Sequence, residues 1–124
     1  MRQLKIIVTN QKGGVGKSTI AANLAGYFST QHQKKISFID LDRQASGANL
    51  INKFHDQNIW AHKKGLLYKQ SASWSLMEAR ESLRAHSSGA DIIIVDLTWT
   101  FGLPYDFLLD FDKNLIKFIE ELFI

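Results

Sequence analysis

The chain has no cysteine and only one proline, Pro104, in 124 residues. Without cysteine there is no disulfide, no thiolate metal site and no Cys-ligated iron–sulfur cluster, and the composition fits a reducing compartment. No apolar run approaches the roughly 18 residues of a membrane span. The N-terminal apolar stretch Ile6, Ile7 and Val8 is far shorter than a secretory h-region. The four histidines, at positions 32, 55, 62 and 86, fall at no metal-ligand spacing and read as exposed or loop residues. Strong charge of one sign is also missing. The net charge is +3 and the pI about 9.2, with the lysines scattered. That permits weak attraction to nucleic acid or anionic lipid without singling out either. The one local cluster, Lys63 and Lys64 beside His62, reads as a solvated loop. Repeats, linkers and low-complexity segments are absent as well.

What is present is an ordinary globular composition, 45% apolar, 22% charged and 11% aromatic. At this length the chain is one domain, residues 1–124, able to bury about 60–70% of its unfolded surface. Three short runs rich in Ile and Val read as buried parallel strands: Leu4–Thr9, Ile36–Leu41 and Asp91–Leu97. Between them the spacing predicts a helix over Ser18–Ser29, with Ile20, Leu24, Tyr27 and Phe28 on one face. A shorter helix is predicted over Ser46–Phe54, with Leu50, Ile51 and Phe54 turned inward. "GLLY" at 65–68 is a candidate fourth strand. "SWSLMEARESLRAH" reads as a helix, with Ser75 and Glu78 spaced as a capping box. This alternation predicts an α/β fold, a three-layer parallel sheet with helices on both faces.

Between the first strand and the first helix lies NQKGGVGKST. Gly13, Gly14 and Gly16, with Val15 between them, allow successive backbone N–H groups to converge on one point. The start of the following helix adds partial positive charge there. Such a turn suits phosphate. Lys17 is placed to reach β- and γ-phosphate oxygens, Ser18 to ligate Mg²⁺, and Thr19 to hydrogen-bond near the α-phosphate. The general phosphate-loop pattern has glycine at position 11, where this chain has Gln11.

"QKGGVGKST" resembles the deviant phosphate loop of the ParA/MinD family of P-loop ATPases, in which a signature lysine precedes the two glycines. Gln before that lysine points to the ParA, or partition, branch. The resemblance implies ATP and Mg²⁺ as ligands. It also implies that Lys12 reaches across to phosphates held by a facing subunit, much as an arginine finger does. An ATP-dependent, two-fold symmetric homodimer follows from that role.

The resemblance continues at "FIDLDRQASG", where the family has a DxD followed by Pro-Gln-Gly. By that match Asp42 positions and polarises the attacking water, and Asp40 helps to organise the Mg²⁺ shell. Arg43 stands in place of the proline, Ala45 in place of the first glycine, and Gln44 is kept. "ADIIIVDL" matches the family's third nucleotide motif, so Asp96 is expected to accept from a Mg²⁺-bound water (Walker B). Two carboxylate-bearing strands ending beside a phosphate loop suit a transfer whose catalysis is positioning and charge neutralisation.

Beyond about residue 100 the resemblance fades, so the chain is expected to be the N-terminal part of a ParA-like domain with an incomplete C-terminal half. Leu108–Ile116 is a candidate next strand. Leu115, Ile116, Ile119, Leu122 and Phe123 form a helical apolar stripe, expected to pack on the sheet. A membrane-surface helix of MinD type is the alternative, disfavoured because Lys113, Lys117, Glu120 and Glu121 on its polar face sum to zero charge. The family's role is plasmid or chromosome partitioning in the cytoplasm, with a ParB-like partner and non-specific DNA. Two rivals accompany it: a non-hydrolysing remnant that keeps the phosphate loop, and a MinD-like membrane-cycling ATPase.

Overall fold

A computed structural model describes residues 3–10, 16–65, 71–98 and 105–114. The strands are β1 (Leu4–Asn10), β2 (Ile36–Asp40), β3 (Ile59–Lys63), β4 (Ile92–Thr98) and β5 (Lys113–Asn114). The helices are α1 (Lys17–His32), α2 (Ser46–Asn52) and α3 (Ala72–Ala85), with a 3₁₀ turn over Tyr105–Asp110. The strands form a single sheet in the order β3-β2-β4-β1-β5. Every pairing is parallel.

Alternation along the strands divides the core in two. Ile6, Val8, Ile36, Phe38, Ile92 and Ile94 face α1 and α2. Ile7, Ile39, Leu41, Ile93, Val95 and Leu97 face α3 and Phe107. Both faces are covered, which is why these strands read as continuous apolar runs rather than alternating ones. The expected three layers are present.

Several details differ from the sequence expectation. The face that α1 buries is formed by Lys17, Ala21, Ala22, Ala25 and Ser29. Ile20, Leu24 and Phe28 pack at its margins, and Tyr27 is 51% exposed. Small residues let the helix axis approach the sheet, so the large ones are displaced to the flanks. In α2, Ile51 is buried, but Phe54 lies past the helix end and is 40% exposed. Ser75 does not cap α3. Ser71 does, its Oγ accepting from Trp74 N at 3.2 Å, and Ser75 is buried within the helix.

A fourth strand not expected from the sequence is Ile59–Lys63; of "GLLY", Leu66, Leu67 and Tyr68 lie outside the described residues. Ile59 packs into the core while Trp60 and Lys63 face out; a half-covered edge strand lacks the apolar continuity that marks a central one. His62 and Lys63 therefore belong to a strand and not to a solvated loop. Of the candidate strand 108–116, residues 108–110 belong to the 3₁₀ turn, Lys113–Asn114 joins the sheet beside Ile6–Ile7, and residues 115–116 lie outside the described residues. The C-terminal apolar stripe lies outside the described residues. Among the described residues no helix is long and apolar enough to cross a membrane.

Candidate functional site

The site lies at the carboxyl ends of β2 and β4, where α1 begins. Asp40 and Asp96 are register partners on those adjacent strands. Period-two alternation turns both toward the α1 face, with Phe38 and Ile94, and both are fully buried. α1 starts at Gly16, whose φ of 73° is the left-handed region that a side chain disfavours. Among the described residues no side chain caps the helix start, which leaves its first N–H groups to an anion.

Lys17, in the first turn, turns inward and is only 4% exposed. Its ammonium donates to Asp42 Oδ2 at 2.7 Å, to Asp96 Oδ1, and to Ser18 Oγ at 3.3 Å. Asp40 is held from both sides. Its Oδ1 accepts from Asp42 N at 3.0 Å and its Oδ2 from Ala48 N at 2.9 Å. It thus ties the loop after β2 to the start of α2. Ala45, at the N-cap of α2, has φ 53°, so the position where the family has glycine still adopts the left-handed turn, now at a steric cost of about 1–2 kcal/mol.

The carboxylates of Asp40, Asp42 and Asp96 each offer an oxygen within 4.8 Å of the others. Burial pushes the Asp40 carboxyl up to about 6; the N–H groups of Ala48 and Asp42 pull it back, while the Asp96 and Asp42 charges add to the rise. Burial likewise raises Asp96, against the opposing pull of the Lys17 ammonium. For Lys17 burial works against the charge, but Asp96 and Asp42 outweigh it and hold the amine above its ordinary range. The lysine stays protonated.

One buried oxygen, Asp96 Oδ2, has no hydrogen-bond partner among the described residues. Three clustered carboxylates with a free buried oxygen suit a hard, oxygen-seeking cation such as Mg²⁺. Gly47 keeps that oxygen uncrowded. A Cβ there would collide with Asp96 Oδ2 and come within 2.8 Å of Phe38 Cζ. Gly47→Ala should therefore cost about 1–3 kcal/mol by overpacking, seen as a lower urea midpoint; an unchanged midpoint would show that the cluster has slack.

Of the residues expected from sequence, the fold brings Gly16, Lys17, Ser18, Asp40, Asp42 and Asp96 together. Thr19 sits exposed in the same first turn. Gln11, Lys12, Gly13, Gly14 and Val15 lie outside the described residues. Sequence reasoning missed the second half of the Asp40 anchor, the Ala48 N–H, and the space kept by Gly47; the small-residue run "ASGA" was their only signal.

A family model described as the CobQ/CobB/MinD/ParA nucleotide binding domain matches residues 6–122. The chain is 44% identical over 45 residues to the chromosome-partitioning ATPase Soj of Thermus thermophilus, a match covering 36% of this chain and 18% of that protein. Its fold resembles that of a plasmid partition protein from Borrelia burgdorferi, with a TM-score of 0.60 and 23% identity. That likeness covers 77% of this chain and 56% of the other. The chain thus spans little more than half of that structure and matches under a fifth of Soj.

Proposed function

The chain belongs to the CobQ/CobB/MinD/ParA nucleotide-binding domain family, and from that premise we propose that it is a partition-type, Mg²⁺-dependent ATPase. In this reading residues 1–124 form one P-loop unit, and ATP drives it into a dimer. The observation that carries the reading is Lys17, buried at the start of α1 and held by both Asp42 and Asp96. A phosphate-seeking cation and a carboxylate cluster are pre-assembled at one point, each compensating the other's burial.

The residues divide the work. Lys17 binds the β- and γ-phosphates, with the N–H groups that open α1 and the loop from Lys12 to Gly16. Thr19 steadies the α-phosphate end. Ser18 and Asp96 would hold Mg²⁺, whose charge would neutralise the phosphates. Asp40 fixes the turn that presents Asp42, and Asp42 orients the attacking water and takes up its proton. Lys12 contributes from the facing subunit, where it neutralises charge developing between β- and γ-phosphates. A ParB-like partner and non-specific DNA belong to the same reading, whose partitioning part is supported by the likeness to the chromosome-partitioning ATPase Soj.

The test is Mg²⁺-dependent ATP turnover, with and without DNA, for wild type and Asp42→Ala. Turnover that disappears in the variant supports hydrolysis at this site; a wild type that binds ATP but never turns it over is a non-hydrolysing module. Lys12→Ala separates the shared chemistry from simple binding. It should still bind nucleotide, yet lose the ATP-dependent doubling of mass in light scattering and about a hundredfold in turnover. A Lys12→Ala protein that dimerises and hydrolyses normally would remove the two-subunit mechanism.

A further inference from the structure

At the opposite end of the sheet the edge strand β3 is left partly bare, with Trp60 exposed and His62 half-buried. α3 covers Ile39 and Leu41 but stops at Ala85, short of the edge strand. A cavity of about 420 Å³ opens there, lined by Lys35, Ser37, Trp60, His62, His86 and Ser88 among others. Register explains the grouping. Ser37 pairs with Trp60 and Ile39 with His62, so Ser37, Trp60 and His62 share the α3 face.

The His62 and His86 rings stack with centroids 3.9 Å apart and planes 22° from parallel. His62 lies in β3 rather than in a loop, His86 lies in the turn after α3 as the sequence predicts, and both are partly buried. Two polar atoms in this wall, Ser37 Oγ and His86 Nε2, are buried with no partner among the described residues, although Ser37 is only 3% exposed. Buried polar atoms without a protein partner call for a ligand or a water.

Among the described residues the charge lining the cavity has one sign, and none of the lining residues is acidic. Asp91, in the turn before β4, has Oδ2 accepting from the Lys35 N–H at 2.9 Å. Burial lowers the pKa of both imidazoles, with His86 and Lys64 adding to the effect on His62, and Lys64 to that on His86. Trp60, 47% exposed, offers an apolar ring beside this polar wall.

We propose that this cavity binds an organic oxyanion, a phosphate monoester or carboxylate carried on a planar apolar body, independently of the phosphate loop. The Ser37 hydroxyl and a His86 Nε2–H donate to the anion, and Lys35 supplies charge. Trp60 covers the planar body. An anion there favours imidazolium, which the carbonyl end of α3 also favours. The volume falls within the range of small-molecule sites and well exceeds a bare phosphate.

The test is NMR titration of the histidine C2–H signals with phenyl phosphate, benzoate and inorganic phosphate, for wild type, Ser37→Ala and His86→Gln. Phenyl phosphate, benzoate or both should shift His62 and His86, more tightly than inorganic phosphate does; the tighter of the two identifies the headgroup. Each variant should weaken that binding at least about fivefold, the loss of one hydrogen bond, and Ser37→Ala changes only a hydroxyl. Affinity should rise as pH falls from 8 to 6, because the bound anion raises imidazole pKa values that are depressed in the free protein. No shift, binding equal in the variants, or affinity independent of pH would overturn the proposal. Nucleotide enters none of these arms, so their failure leaves the reading of the phosphate loop standing.

Discussion

Lys17→Ala should bind nucleotide at least about a hundredfold more weakly than wild type, the equivalent of two charge-assisted hydrogen bonds. It should also be less stable, by about 3–5 kcal/mol at neutral pH, because Asp96 would keep a buried charge without its cation. The two effects come from one geometry. Lys17 is 4% exposed and Asp96 is fully buried, so water cannot substitute for the missing ammonium.

The stability loss should depend on pH with a definite sign. Burial already raises Asp96 above its unfolded range, and removing Lys17 takes away the main opposing influence. A carboxyl whose folded pKa lies above its unfolded value binds more protons in the folded state, so its penalty is present at high pH and is relieved as pH falls. The urea midpoint of Lys17→Ala should therefore approach that of wild type between pH 7 and pH 5. Lys17→Ala/Asp96→Asn should recover most of the stability at pH 7 without recovering nucleotide affinity. A single variant as stable as wild type at pH 7 would show that the pair contributes nothing.

Asp42→Asn should move two readouts in opposite directions. ATP turnover in Mg²⁺ should fall by about a hundredfold or more, the usual loss when a general base or water-orienting carboxylate is neutralised. Nucleotide binding without Mg²⁺ should strengthen by about tenfold. Lys17 Nζ is held 2.7 Å from Asp42 Oδ2, a contact that a phosphate must displace; the amide frees the lysine of that one charge-assisted hydrogen bond. Asp40→Asn is the control. Asp40 belongs to the same carboxylate cluster, but its oxygens accept from Asp42 N and Ala48 N. A general electrostatic gain would appear in both variants, whereas release of Lys17 should appear in Asp42→Asn alone. ADP titrations in EDTA distinguish the two, and no gain in Asp42→Asn would show that Lys17 is already free to move.

The central strands were legible because burial on both faces leaves them mostly apolar: Ile36–Asp40 is buried at every position. The edge strand was not, since only Ile59 of Ile59–Lys63 is fully buried. The α1 face was misjudged for a related reason. Hydrophobicity ranks Tyr27 and Phe28 above Ala21, Ala22 and Ala25, but close approach to the sheet selects for small volume.

The sequence by itself determined the chemistry available at the phosphate end of the sheet. Lys17 and Ser18 follow a glycine-rich turn, and each of two apolar runs ends in an aspartate, because local backbone and charge requirements act over a few residues. Only the tertiary structure decided the pairings. Parallel register set Asp40 beside Asp96, and the path of α1 brought Lys17 between Asp42 and Asp96. The end of α3 placed His86 against His62. Each of those contacts joins residues far apart in the chain, where packing and register rather than local preference set the distance.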